Sequence, residues 1–70
     1  MSKLQEIRKS LSLTQRELSE KAFVSRRMVE QYENGERDIN IASAITVWKL
    51  SKVLGCSMPD IMEIEREIER

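Results

Sequence analysis

The chain has 70 residues, with one Cys, no His, and 12 basic side chains balanced by 12 acidic ones. A chain of this size forms one domain, spanning 1–70, that buries only about 60% of its unfolded surface. A lone Cys without His excludes a disulfide framework, the usual Cys/His zinc site and a His-based catalytic centre, so no metal, cofactor or enzymatic activity is expected. No apolar run is long enough to cross a bilayer or to form the core of a signal peptide, and the expectation is a soluble cytoplasmic protein with no membrane partner. Cys56, next to Gly55, reads as a small buried hydrophobe rather than a reactive thiol. The neutral total conceals a gradient. Residues 1–27 carry seven basic and three acidic groups, residues 28–58 three and four, and residues 59–70 two and five. Such a field orients a molecule toward an anion while keeping indiscriminate binding modest.

The first predicted helix covers 3–10, with Leu4, Ile7 and Leu11 as a narrow apolar stripe. Thr14-Gln15-Arg16-Glu17 has the form of a capping box, with Leu13 and Leu18 as a hydrophobic staple, and starts a second helix over 15–21. Ser25 caps a third helix over 26–34, with Val24 and Val29 as its staple, and Asn34-Gly35 supplies a left-handed stop. The three residues Ala22-Phe23-Val24 are too few for the second and third helices to lie antiparallel, so they cross at a large angle as a helix-turn-helix. Leu18, Ala22, Val24, Val29 and Tyr32 form its inner seam. Ser25, Arg26, Arg27, Glu30 and Gln31 face outward, and this polar, donor-rich set suits base edges in a major groove. Consecutive Arg26 and Arg27 point about 100° apart, so one reads a base while the other grips phosphate. The sequence leaves open which does which, and a plainly solvated helix start is the bland alternative.

Ile39 and Ile41 are apolar residues in a polar loop, suited either to plugging the core or to a subunit interface. A fourth helix over 44–54, capped by Ser43 and stopped by Gly55, carries the stripe Ala44, Val47, Leu50, Ser51 and Leu54. Trp48 and Ile45 widen that stripe toward a second burial partner, with packing inside the monomer as the equal alternative. Ser57, Pro59 and Asp60 start a fifth helix over 58–69, along which Ile61, Ile64 and Ile68 line up. The fold class is therefore all-α, a compact five-helix domain. Ile41, Trp48, Ile64 and Ile68 are its candidate dimer contacts.

The run from Leu13-Thr14-Gln15-Arg16-Glu17-Leu18 through Val24-Ser25 to Tyr32-Glu33-Asn34-Gly35 resembles the Cro/C1-type (Xre-type) helix-turn-helix family of the lambdoid phage repressors. The likeness extends from about Leu4 to Met62. It implies that the 26–34 helix enters the major groove, with Ser25, Arg26, Arg27, Glu30 and Gln31 as base-reading or groove-facing positions. It further implies that Gln15 binds a DNA phosphate and braces the recognition helix, joined by Arg16 and Arg37, and that Arg8 and Glu33 form a buried ion pair. The alternative for that pair is two ordinary surface charges. Glu36, Asp38 and Ile41 depart from the basic loop of the family, so fewer phosphate contacts and a shallower salt dependence are expected. Phe23 stands where the family has Gly, and it is expected to pack well enough to offset a strained turn, though its ring could instead lie exposed near the DNA backbone.

The function implied is a sequence-specific DNA-binding regulator of transcription, a repressor acting as a homodimer on a pseudo-palindromic double-stranded operator, with no small-molecule ligand evident. The competing reading is a protein-interaction module of antirepressor or antitoxin type that uses the Trp48 and fifth-helix surface and touches DNA little.

Overall fold

Small polar residues in extended conformation divide the chain into helices, and each leaves its mark as a cap. In the computed structural model, which describes residues 2–63, helix α1 (Lys3–Ser10) begins where the Ser2 hydroxyl accepts the Gln5 N–H. Helix α2 (Gln15–Ala22) has a complete capping box: Thr14 Oγ1 accepts from Glu17 N at 3.0 Å and Glu17 Oε1 accepts from Thr14 N at 2.8 Å. Ser25 and Ser43 act in the same way for α3 (Arg26–Asn34) and α4 (Ala44–Leu54), accepting from Met28 N and Thr46 N. Each such cap is worth about 1 kcal/mol. A single 3₁₀ turn (Ile39–Ile41) separates α3 from α4, and α5 (Met58–Ile61) follows. No strand occurs among the described residues.

Gly35 and Gly55 end α3 and α4 at φ +86° and +70°, where a side chain would be strained. At two other stops the chain accepts that strain. Ser12 sits at φ +59° after α1, and Phe23 at φ +55° after α2.

Helix α2 packs on α3 and α4, while α1 packs on α3 and α5. Leu4, Leu18, Ala22, Val29, Tyr32, Ile39, Val47, Leu50, Leu54 and Ile61 are buried between them, so every helix contributes to one core. Ile39 thus plugs the core, whereas Ile41, two residues on, is 81% exposed. Four expectations need correction. Leu11 is the residue that closes α1 and turns outward, half exposed, and Ala44 in the first turn of α4 is exposed. Phe23 does not pack: the turn is left-handed, and the ring stands 86% exposed.

The fourth correction concerns the fifth helix, expected over 58–69. It stops at Ile61, because Met62 is extended at φ −89° and ψ 155°. A tertiary contact accounts for the break. The Asn40 side-chain amide pairs with both backbone groups of Glu63, donating to its carbonyl and accepting its N–H at 2.8 Å each. The Glu63 carboxylate in turn accepts the Lys3 N–H at the start of α1, at 2.8 Å. The Glu63 N–H and carbonyl that a continued helix would have used are taken by Asn40 of the 3₁₀ turn instead. Ile64 and Ile68 lie outside the described residues.

Candidate nucleic-acid interface

The interface is built on a buried polar knot where α1, α2 and α3 meet. Arg8 and Glu33 bond bidentately, Nε to Oε2 at 2.6 Å and Nη2 to Oε1 at 3.0 Å, with side chains only 8% and 2% exposed. The third guanidinium arm, Nη1, donates to the Leu13 carbonyl at 2.7 Å, and Gln15 Nε2 donates to Glu33 Oε1 at 2.9 Å. One carboxylate near the end of α3 is therefore held by α1 and by the first residue of α2. Among the described residues no buried side-chain polar atom lacks a partner. A planar fork on a carboxylate is directional, so the pair fixes the angle of α3 against α1, and the Gln15 amide ties the start of α2 to the same carboxylate. Removing one partner strands a buried charge, at a cost of about 3–5 kcal/mol.

On this base α3 presents its polar face. Ser25, Arg26, Arg27 and Glu30 are exposed and Gln31 is half-buried, while Val29, Tyr32 and Glu33 point inward. The two arginines diverge. Arg26 turns toward the start of α2, sharing a shallow concavity with Ser12, Thr14, Gln15 and Arg16. Arg27 shares another with Glu30, Gln31, Asn34 and Glu36. Ser25 Oγ is engaged as the α3 cap. Gln15 spends one amide N–H on Glu33 and retains a second, beside the unpaired backbone N–H groups of the α2 start, an arrangement suited to an anion. Exposed Arg16 lies next to it, paired loosely with Glu20 at 3.1 Å.

Arg37 sits differently from what the loop alone suggests. Its backbone N–H donates to the Gln31 carbonyl and its Nε to Gln31 Oε1, both at 3.1 Å. This double contact spans a turn closed by Asn34 Oδ1, which accepts the Glu36 N–H. Six residues across a left-handed stop leave no periodic signal for it. On α4 Ile45 is 57% exposed and Trp48 48%, and Lys52 Nζ lies 5.7 Å from the Trp48 ring centre. Ile41, in the 3₁₀ turn before α4, is exposed as well.

Two surface carboxylates have clear titration behaviour. Hydrogen bonding from the Thr14 backbone holds the Glu17 carboxyl below its ordinary range, and the Ser57 backbone does the same for Asp60. Cys56 is half-buried rather than fully buried, and partial burial, with Asp60 nearby, pushes its thiol up. Among the described residues there is no group of three His, Cys, Asp or Glu side chains placed to hold a metal ion, and no helix is long and apolar enough to cross a membrane.

Compared with known proteins, residues 4–61 match a family model described as helix-turn-helix. No individual curated protein matches the chain.

Proposed function

The chain belongs to the Cro/C1-type helix-turn-helix family of DNA-binding regulators, and on that premise we propose that it is a sequence-specific repressor of transcription that binds DNA as a homodimer. Helix α3 lies in the major groove while α2 crosses the backbone. Arg26, Arg27, Glu30 and Gln31 meet base edges, with Ser25 at the groove-facing end. Gln15 and Arg16 take a phosphate at the α2 start. Two copies place their α3 helices about 34 Å apart on one face of a pseudo-palindromic operator, and occupancy excludes polymerase.

The observation that carries this reading is an exposed, donor-rich α3 face seated on a buried bidentate ion pair. A surface meant only to be solvated has no need of such a rigid mount. Selection of bound duplexes from a randomised pool, followed by a salt titration on the winner, tests it. An inverted repeat with half-sites one helical turn apart is expected. No enrichment, with weak binding lost at moderate salt, would overturn it.

A second reading, a protein-interaction module, is favoured by one feature: Ile41, Ile45 and Trp48 stand exposed on a chain of zero net charge. In that case the selection enriches nothing and the α4 face captures a protein.

A further inference from the structure

Arg37 touches Gln31 twice, and the chemistry of the second contact is one-sided. A guanidinium has only donors, so the atom facing Arg37 Nε at 3.1 Å is the amide oxygen of Gln31 and the –NH₂ end is turned away from it. The backbone bond between the same two residues, also 3.1 Å, places the loop so that the side-chain contact is made without a search. The Asn34 bond to the Glu36 N–H stiffens the intervening turn. Gln31 is half-buried, which limits its own freedom.

An unrestrained Gln is ambivalent in a major groove. It can rotate its amide and read adenine with both ends, accepting from N6 and donating to N7. A Gln whose oxygen is held elsewhere offers donors, and the base edge richest in acceptors is guanine, with O6 and N7.

We propose that Arg37 is a specificity-positioning residue: by holding the Gln31 amide oxygen it makes Gln31 a one-way donor that selects guanine over adenine at its position in the half-site. Arg37 then acts through Gln31 and is not a phosphate grip. The inference rests on the reading of α3 as the recognition helix.

The test is duplex selection with the full chain for wild type, Arg37→Met, Arg37→Lys and Gln31→Ala, followed by binding of the winning duplex and its guanine-to-adenine variant across a salt series. For the wild type, guanine is expected at one half-site position, and Gln31→Ala should abolish the preference there and nowhere else. Arg37→Met should narrow the guanine-over-adenine ratio several-fold at that same position while leaving the salt slope unchanged. Arg37→Lys, which restores a donor, should recover part of the ratio. A salt slope reduced by about one in Arg37→Met, with base preferences intact, would make Arg37 a phosphate contact and overturn the proposal. So would unaltered preferences in Gln31→Ala. If Arg27→Ala still weakens binding to the winner in that case, the recognition-helix reading stands and only the positioning role falls. A wild type that enriches no duplex removes both.

Discussion

The two faces of this domain are finished to different degrees. Where α1, α2 and α3 meet, Arg8, Leu13, Gln15 and Glu33 close a hydrogen-bonded knot that is complete within one chain. On α4 and the 3₁₀ turn before it, Ile41, Ile45 and Trp48 remain exposed. A surface that positions groups for recognition has to be rigid before its ligand arrives, since a loose mount would be ordered at the ligand's expense. An apolar face on a domain with a thin margin of stability gains by being covered, and a second copy is the partner that the proposed dimer supplies.

Breaking the knot should have the largest effect. Glu33→Ala leaves Arg8 buried without its carboxylate and should destabilise the domain by about 3–5 kcal/mol in chemical denaturation. The paired replacement of Arg8 by Met and Glu33 by Leu should recover much of that loss while lowering DNA affinity, because it restores packing without restoring direction. Equal stability of Glu33→Ala and wild type would show that the pair contributes nothing.

The α4 surface is sharpened by charge. Ile45→Glu or Trp48→Glu should leave the melting temperature nearly unchanged and shift sedimentation from dimer to monomer, with affinity for the inverted repeat falling about tenfold or more. An unaltered sedimentation profile would move the interface elsewhere.

A smaller effect is expected at the turn. Phe23 occupies a left-handed conformation that costs a residue with a Cβ roughly 1–2 kcal/mol, and its exposed ring returns little by packing. Phe23→Gly relieves the strain but adds chain entropy to the unfolded state, about 0.4–1 kcal/mol. A rise of a few degrees in melting temperature is expected. A fall would show that the ring is engaged.

The smallest effect is acid dependence. Glu17 and Asp60 have carboxyl pKa values lowered on folding by backbone hydrogen bonds. Their contribution is therefore full above the ordinary carboxylate range, near pH 4–4.5, and is lost as pH falls through the lowered folded values. Glu17→Gln should flatten the decline of melting temperature below pH 4. The unchanged slope would assign the acid sensitivity to other groups.

What was legible in the sequence follows the range of the interactions. Ser2, Thr14, Ser25 and Ser43 cap within three residues of themselves, so the starts of the first four helices can be read locally. The end of α5 could not. Nothing in Met62-Glu63-Ile64-Glu65 discourages a helix, and the groups that draw Met62 and Glu63 out of it come from Asn40 and Lys3, distant in sequence. The outward placement of Arg26, Arg27 and Glu30 follows from helical period. The Gln31–Arg37 clasp depends on the path of the chain after Gly35, which no pattern of residue types encodes. Burial is the ordinary preference of a large aromatic residue such as Phe23, and here the left-handed turn geometry overrides it.

The most direct test of the central claim compares Arg26→Ala and Arg27→Ala with the wild type on the selected duplex and on a scrambled duplex of equal length. Base reading by the α3 face predicts that at least one variant loses about 1–3 kcal/mol on the selected duplex and much less on the scrambled one. Unchanged affinity of both variants for the selected duplex would contradict it.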